Sequence, residues 1–237
     1  MMIPKIIHYC WFGGNKMPND FQKYINTWKK YCPDYEIKCW DESNFDIESN
    51  KFVSEAYKTK NWAFVSDYVR LKVVYEYGGI YLDTDVELLR NFDELLKNDL
   101  FLPIQQNGCY INNGLCFGAK KHNKIVKELL NEYDQLSFDN NIKSSLACPY
   151  IITNMLTKYG YKRENCNQLL NKNIMIYSSK YFDPICPDTN VNLLCKESFS
   201  IHHYSATWMS KSTIIKRKIC NFIGQDRINK IKKILRK

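Results

Sequence analysis

The chain has 237 residues, 45% of them hydrophobic and 14% aromatic, and a formal net charge of +9, a length that predicts one ordinary domain with its own core. Its ten cysteines are irregularly spaced with no Cys-x-x-Cys pair, which argues against a zinc cluster and favours reduced thiols in a cytosolic protein. No apolar run reaches the roughly 18 residues of a transmembrane helix, and the first residues do not resemble a signal peptide.

The first sixty residues alternate between strand and helix patterns. Residues 5–12 are a continuous apolar stretch that predicts a buried strand, and residues 35–40 alternate like a second strand. Residues 18–32 repeat apolar side chains at helical spacing, and a short helix is expected near residues 51–60. This alternation is typical of an α/β fold with a parallel sheet. His8 lies within the first strand, where we expect a hydrogen-bonded core residue rather than a ligand.

The most informative part of the chain is the segment from residue 61 to residue 87. Apolar residues at helical spacing predict a helix, which Gly78 and Gly79 terminate because they accept left-handed dihedral angles. Asp67 and Arg70 lie one turn apart on this helix, among apolar and aromatic neighbours. Buried charges are costly unless they are paired or bind a ligand. These two side chains are therefore either a structural ion pair or part of a site.

Two aspartates follow the next strand. Residues 80–82 read as a short buried strand, and Asp83 and Asp85 leave its carboxyl end. Ligands of open α/β sheets bind beyond the carboxyl ends of the strands. Residues two apart in an extended chain point the same way, so both carboxylates face one ligand. Most Asp-x-Asp pairs are surface turns, but the preceding helix, glycines and apolar strand favour a ligand site. Because hard oxygen ligands suit Mg²⁺ or Mn²⁺, we predict a divalent-cation site here with Asp85 as the direct metal ligand.

Shorter elements follow. Strands are expected at residues 100–103, 111–119 and 174–177, a helix at residues 122–136, and another that starts at Pro149. Within residues 111–119, Asn113 and Gly114 are typical of a hairpin turn.

A second informative stretch runs from Ser198 to Trp208. It predicts a strand that presents His202 and His203, which point in opposite directions because they are adjacent. Neutral imidazole is a good Mn²⁺ ligand and can complete a site begun by Asp85. We favour His203 over His202 for this role.

The end of the chain is strongly basic. Residues 211–237 carry most of the excess positive charge, with Asp226 as their only acid, while the remainder is nearly neutral. This distribution argues against a nucleic-acid-binding surface across the whole protein. Apolar residues recur at roughly helical intervals among the Lys and Arg residues, which indicates a basic amphipathic helix that either lies on a membrane surface or packs on the domain. We expect a main domain over residues 1–209 and a tail over residues 210–237.

Taken together, these elements resemble a known family. The similarity rests on two motifs, Ser66-Asp67-x-x-Arg70 and Tyr75-Glu76-x-Gly78-Gly79-Ile80-Tyr81-Leu82-Asp83-x-Asp85. They are similar to the sugar-binding region with the Asp-x-Asp motif in one group of glycosyltransferases. The group includes yeast mannosyltransferases, bacterial capsular-polysaccharide and lipooligosaccharide transferases, and the glucosyltransferase domains of large clostridial toxins. The opening strand with Trp11, and the stretch from His202 to Trp208, resemble the first strand and the end motif of the group.

This resemblance implies a GT-A fold, with a Rossmann-like and mostly parallel sheet flanked by helices. It also implies roles for single residues. Asp67 and Arg70 would hold sugar hydroxyls, and Asp83 would contact the ribose and the sugar. The nucleotide-sugar pocket would contain four further side chains: Trp11 stacked on the base, Tyr81 in the nucleotide pocket, Asn113 in the sugar pocket, and Trp208 over the diphosphate.

The expected protein is a metal-dependent glycosyltransferase, retaining by the resemblance, that moves a hexose from a nucleotide-sugar to a saccharide or lipid-linked saccharide in capsule or cell-surface polysaccharide synthesis. Mn²⁺ or Mg²⁺ is the expected cofactor, and a UDP-hexose is favoured over GDP-mannose as donor. We expect a cytoplasmic protein, peripheral on the inner membrane surface, without a nucleic-acid partner.

Two alternatives stay open. One is an aspartyl-phosphate phosphohydrolase, because Asp83-Thr84-Asp85-Val86 ends a strand, although such enzymes need a later Asp-Asp pair that this chain lacks. The other is a non-catalytic adaptor on the membrane surface.

Overall fold

A computed structural model describes residues 2–189 and 191–205. The strands in these ranges are β1 (Ile6–Cys10), β2 (Glu36–Trp40), β3 (Gly79–Tyr81), β4 (Val86–Leu88), β5 (Leu100–Pro103), β6 (Phe117–Ala119), β7 (Gln168–Leu170), β8 (Ile174–Tyr177) and β9 (Ser200–His202). The α-helices are α1 (Asn19–Tyr31), α2 (Lys51–Lys58), α3 (Trp62–Tyr77), α4 (Lys124–Asp134), α5 (Cys148–Thr157) and α6 (Ser179–Phe182). Short 3₁₀ turns occupy Ile47–Ser49 and Asp93–Leu95.

The described residues build a central sheet of seven strands in the order β2-β1-β3-β6-β5-β8-β7. Parallel pairs join β1 to β2 and to β3, and β5 to β8. β6 and β7 run against their neighbours, which leaves five of the seven strands pointing the same way. β4 and β9 form a separate antiparallel ribbon. The predicted α/β class with a mostly parallel sheet is confirmed, although the sequence pattern did not predict the two reversed strands.

Helices cover both faces of this sheet. Along β5, Leu100 and Leu102 belong to the hydrophobic cluster that includes α2 to α5, while Phe101 belongs to the cluster that includes α1. This alternation follows from the two-residue period of a strand, whose successive side chains point to opposite faces. On the second face, the indole N–H of Trp28 donates to the carbonyl of Val86 at 2.7 Å. That bond fixes the β4–β9 ribbon against α1.

The end of α3 places β3 beside β1. The N–H of Gly78 donates to the carbonyl of Val74 at 2.9 Å, and Gly78 has φ +69°, a left-handed conformation that favours glycine. Gly79 follows with φ +106°, and a Cβ there would lie 2.7 Å from the carbonyl oxygen of Ile6. The two glycines therefore let the chain leave the helix and enter the sheet without a linker.

His8 is a hydrogen-bonded core residue, which confirms the prediction. The indole N–H of Trp40 donates to Nδ1 of His8 at 3.1 Å, so the ring proton lies on Nε2, which donates to the carbonyl of Gly78 at 2.8 Å. The side chain is fully buried. Burial lowers the pKa of His8 to about 4, although the bond to Gly78 acts in the opposite direction.

This burial predicts a pH-dependent stability. Because the pKa of His8 is below its ordinary value of 6.5, the unfolded chain takes up the proton first as the pH falls. The free energy of unfolding therefore falls as the pH is lowered from 6.5 to 4, by up to about 3 kcal/mol from this one group. Denaturant titrations at several pH values should show a shallower pH slope for His8→Gln than for the wild type. Equal slopes would show that His8 is not the responsible group.

Within residues 2–189 and 191–205, no helix combines the length and the apolar character that crossing a bilayer requires. The nine cysteines in these ranges are free thiols. Trp208 and the basic tail lie outside the described residues, so their roles and the domain boundary after residue 209 stay predictions.

Candidate active site

Asp83 and Asp85 lie in the turn that follows β3. The backbone N–H of Asp83 donates to the carbonyl of Gly114, and its own carbonyl accepts from the N–H of Val86, both at 3.1 Å. The sequence predicted that an extended chain would point the two carboxylates the same way. In the structure a closed turn brings the two carboxylates together instead, because the hydrogen bond from Val86 turns the chain toward β4.

The β4–β9 ribbon brings His202 to the same place. In its register, His202 lies opposite Val86, and the N–H of His203 donates to the carbonyl of Asp85 at 3.0 Å. Nε2 of His202 is 3.1 Å from Oδ1 of Asp85. One ligand atom each from Asp83, Asp85 and His202 lies within 4.8 Å of the other two. Three potential metal ligands therefore meet at the carboxyl edge of the sheet.

His203 points away from this cluster. Its Nε2 is 2.8 Å from Oε2 of Glu87, and its ring stacks on Tyr24 with centroids 4.5 Å apart. The preference for His203 over His202 as the candidate metal ligand is therefore corrected, because the imidazole of His202 faces Asp85 and that of His203 faces Glu87. Adjacent strand residues face opposite sides, and the pairing of β9 with β4, which the sequence did not reveal, decides which imidazole faces the aspartates.

The pKa values of all three candidate ligands depart from their ordinary values. Burial alone would raise the pKa of Asp85, but the charge and hydrogen bond of His202, with a 2.7 Å bond from the N–H of Ser205, lower it to about 2. Burial alone would lower the pKa of His202, but Asp85 raises it to about 9. The pKa of Asp83 is raised by burial against the opposing charge of Arg70. Without a metal, Asp85 and His202 thus form an ion pair.

Arg70 joins helix α3 to the aspartate turn. Its Nη2 lies 3.1 Å from Oδ1 of Asp67 and 3.2 Å from Oδ1 of Asp83, and the Arg70 side chain is 4% exposed. Nη1 donates to Oδ1 of Asn113 at 3.2 Å. The guanidinium lies over the ring of Tyr81, whose hydroxyl donates to Asp83 at 3.0 Å. Asp67 and Arg70 do form the ion pair that the sequence allowed, and that pair belongs to the candidate site.

A cleft of about 570 Å³ opens above these residues. Its polar end is formed by Asp67, Arg70, Asp83, Asp85 and His202, and Tyr81 also lines it. Aromatic side chains line much of the remaining wall, namely Trp11, Phe12, Phe21, Trp62 and Phe64. A cleft of this size with one apolar wall and a few convergent polar groups suits a small organic ligand.

Trp11 and Asn113 have different positions relative to this cleft. Trp11 lines it and lies 5.5 Å from Phe21 between ring centroids. Asn113 is fully buried beneath the cleft, so the expectation that it lines the pocket is not met. Asn112 lines the cleft instead. Oδ1 of Asn112 accepts from the N–H of Gly114, and Oδ1 of Asn113 accepts from Nη1 of Arg70 beneath the cleft.

Several cleft residues were not found by sequence reasoning. Cys148, the first residue of α5, accepts a long contact from Nη1 of Arg70 at 3.8 Å and lines the cleft with Pro149. Lys16 lines it from the loop after β1, and Tyr204 from the segment after β9. The sequence analysis gave none of them a role, although Tyr204 lies in the stretch that resembles the family's end motif, because their positions in the cleft depend on contacts between distant segments.

The residues at the polar end fit a divalent cation. Two carboxylates and an imidazole are the mixture of ligands that Mn²⁺ accepts, and Mg²⁺ accepts the oxygen donors. Nδ1 of His202 is also buried and has no hydrogen-bond partner among the described residues. Nε2, which lies 3.1 Å from Oδ1 of Asp85, is the nitrogen that a cation in this cluster would meet.

Residues 18–102 match the family described as the glycosyltransferase sugar-binding region containing the DXD motif. An uncharacterised glycosyltransferase of Acanthamoeba polyphaga mimivirus is 24% identical over 218 residues, which cover 87% of this chain and 84% of the viral protein. Residues 18–102 therefore contain the DXD sugar-binding region of glycosyltransferases, which confirms the predicted transferase class. The matched region contains α3 and the aspartate turn, and so four of the five side chains at the polar end of the cleft, whereas His202 lies outside it.

Two further comparisons concern this glycosyltransferase. Inositol phosphoceramide mannosyltransferase 3 of Schizosaccharomyces pombe is 32% identical over 137 residues, which are 54% of this chain and 37% of that protein. The solved structure of the PaToxG glycosyltransferase aligns with a TM-score of 0.52 at 19% identity, over 66% of this chain and 70% of that one. The structural likeness confirms the GT-A-type fold. The chain spans well under half of the yeast relative.

Proposed function

We propose that this glycosyltransferase is a metal-dependent hexosyltransferase that uses a nucleotide-sugar donor. The observation that supports it most is the convergence of Asp83, Asp85 and His202 within 4.8 Å at the end of an aromatic cleft. In such a reaction the bond from the anomeric carbon to the diphosphate oxygen breaks, the oxygen of an acceptor hydroxyl bonds to that carbon, and the hydroxyl proton is released together with the nucleoside diphosphate. A divalent cation held by these three residues would stabilise the negative charge on the leaving diphosphate as a Lewis acid.

The polar residues of α3 would orient the sugar. Asp67 and Asp83 offer carboxylate oxygens and Arg70 offers N–H groups, all fixed to one another before any ligand binds. Charges that are preorganised in this way stabilise developing charge without having to rearrange during the reaction. The pKa of Asp67 is raised to about 6 by burial, although Arg70 acts against this. A sugar hydroxyl that donates to Asp67 would favour its ionised form.

The aromatic wall would hold the nucleotide. Trp11 lines the cleft at the carboxyl end of β1 and is only partly buried. Stacking of a base on such a ring is worth about 1–3 kcal/mol. The ring of Tyr81 is covered by Arg70 and is 1% exposed. Tyr81 would therefore act mainly through its hydroxyl, which orients Asp83.

The donor is tested with a panel of nucleotide-sugars. The family resemblance favours a UDP-hexose, whereas the yeast relative bears the name of a mannosyltransferase and supports GDP-mannose. Release of nucleoside diphosphate is measured with Mn²⁺ for UDP-glucose, UDP-galactose, UDP-N-acetylglucosamine and GDP-mannose. Metal-dependent release from one of them supports the proposal. Phosphate release from a phosphomonoester instead would indicate the phosphohydrolase, and neither product would indicate the adaptor.

The acceptor is proposed to be a saccharide or lipid-linked saccharide of the cell surface, such as a capsular polysaccharide, reached from the inner membrane face. The N–H of Ser205 donates to Oδ2 of Asp85, and Lys211 begins the basic tail six residues later. Six residues reach at most about 20 Å even when fully extended. Lipid headgroups bound by the start of the tail would thus lie close to the candidate active site. Each basic residue near an anionic membrane adds about 1 kcal/mol of attraction.

Deletion of residues 211–237 tests the membrane role. We expect sedimentation with vesicles of anionic phospholipid to fall sharply, because most of the net positive charge is removed. Hydrolysis of the free donor should change much less, since the candidate ligands lie before residue 206. Vesicles of neutral phosphatidylcholine are the control. Unchanged sedimentation of the truncated protein with anionic vesicles would contradict the membrane role of the tail.

A further inference from the structure

Asp183 is a buried carboxylate outside the candidate ligand set. It directly follows α6, and its side chain is fully buried. Oδ2 accepts from the backbone N–H of Gln106 at 2.7 Å and from the hydroxyl of Tyr204 at 2.8 Å. Oδ1 has no hydrogen-bond partner among the described residues. Both donors therefore bind the same oxygen of a group that is costly to bury.

Tyr204 connects this carboxylate to the cleft. Its backbone has φ +49°, a left-handed conformation that residues other than glycine adopt at an energetic cost. Its ring lies nearly perpendicular to the imidazole of His202, at 79°, with centroids 4.3 Å apart. Such conformations persist where the surroundings hold them, and the bond from the Tyr204 hydroxyl to Asp183 is a restraint of this kind.

His202 lacks the contact that usually orients a metal-binding histidine. Such a histidine commonly donates its second ring N–H to a carboxylate or a carbonyl, which fixes the ring. Nε2 of His202 faces Asp85, while Nδ1 has no hydrogen-bond partner among the described residues. The perpendicular ring of Tyr204 is therefore well placed to limit rotation of the imidazole.

We propose that Asp183 and Tyr204 are positioning residues, which hold the imidazole of His202 in the orientation that cation binding needs. The role rests on the proposed function, because it requires that His202 bind the metal. Asp183 acts through Tyr204, and Tyr204 acts through the contact between its ring and His202. Neither residue needs to touch the cation or the sugar.

The test measures the affinity for Mn²⁺ alone, from free Mn²⁺ in electron paramagnetic resonance titrations without a donor. Tyr204→Phe keeps the ring and removes the restraining hydroxyl, and Asp183→Ala removes the acceptor. Each should weaken Mn²⁺ binding about tenfold, the lower end of the range for groups that support metal ligands. Asp183→Asn should bind nearly as tightly as the wild type, because one amide oxygen can accept from both Gln106 and Tyr204. Tyr181→Phe, on α6, is the matched control for loss of a tyrosine hydroxyl.

The outcomes separate this role from the proposed function. The positioning role is supported if Tyr204→Phe binds Mn²⁺ weakly at an unchanged unfolding temperature and if Asp183→Asn, unlike Asp183→Ala, binds it like the wild type. A purely structural role would not lower the Mn²⁺ affinity without lowering the unfolding temperature. Tyr204→Phe decides the question even if Asp183→Ala does not fold. Wild-type affinity in Tyr204→Phe, while Asp85→Asn loses the ion, would overturn the positioning role only. A wild-type protein that binds no Mn²⁺ would overturn the proposed function and this role with it.

Discussion

Asp85→Asn should lower metal-dependent release of nucleoside diphosphate by at least about a thousandfold. Asp85 is 8% exposed, and its carboxylate lies 3.1 Å from His202 and accepts from the N–H of Ser205. An amide at this position keeps an oxygen for Ser205 but loses the charge that a divalent cation requires. The loss should appear in turnover at saturating donor, because the cation acts on the departing diphosphate.

The same substitution should leave the protein folded. The pKa of Asp85 is about 2, below its ordinary value of 3.8, so its carboxylate stabilises the fold above pH 3.8 and this stability is lost as the pH falls toward 2. At neutral pH the contribution is about 2 kcal/mol. That loss is smaller than the total stability of about 5–15 kcal/mol that is usual for a domain.

A matched control is available for this variant. Asp34→Asn removes a carboxylate that pairs with Lys5 at the surface. Asp34 lies just before β2, at the amino ends of the parallel strands, whereas Asp85 lies at their carboxyl ends. Asp34→Asn should turn over donor like the wild type. Metal-dependent turnover by Asp85→Asn within a few fold of the wild type would show that Asp85 is not a ligand of the cation.

Arg70→Met should lower the free energy of unfolding by about 3–5 kcal/mol and abolish turnover. The positively charged guanidinium of Arg70 lies within hydrogen-bonding distance of both Asp67 and Asp83. Methionine fills a similar volume, so the loss comes from two carboxylates that remain without their partner rather than from a cavity. Denaturant titration measures the change in stability.

Helix α3 carries its own control. Lys72→Met removes a cation that pairs with Glu76 at 2.8 Å, but both side chains are about two-fifths exposed, at 41% and 39%. Exposed pairs of this kind contribute about 0–1 kcal/mol. Adding Asp67→Asn to Arg70→Met should recover part of the lost stability, because it removes one of the unpaired charges. Equal effects of Arg70→Met and Lys72→Met would contradict a buried network at Arg70.

Local sequence patterns predicted the part of the site whose residues lie close together in the sequence. The helical period around Asp67 and Arg70, the double glycine and the short apolar strand together predicted which charges are buried and where Asp83 and Asp85 emerge. These features depend on backbone preferences and on the two-residue and 3.6-residue periods, which can be read from a few neighbouring residues.

The rest of the site depends on pairing between distant segments. The choice between His202 and His203 follows from the register of β9 on β4, which are more than a hundred residues apart in the sequence. Asn112 lines the cleft while Asn113 is buried against Arg70, which is distant in the sequence. Asp183 has no sequence signal at all, since its role follows from contacts with Gln106 and Tyr204. One-residue shifts of this kind invert the direction of a side chain and leave the local pattern unchanged.

The central claim is that Asp83, Asp85 and His202 hold a divalent cation for a departing diphosphate. The most direct measurement is anomalous diffraction from crystals grown with Mn²⁺ and either UDP or GDP. We predict a manganese peak with Asp83, Asp85 and His202 as protein ligands and with diphosphate oxygens completing the coordination. A bound nucleotide whose diphosphate lies away from Asp85, with no manganese peak at the three side chains, would contradict it.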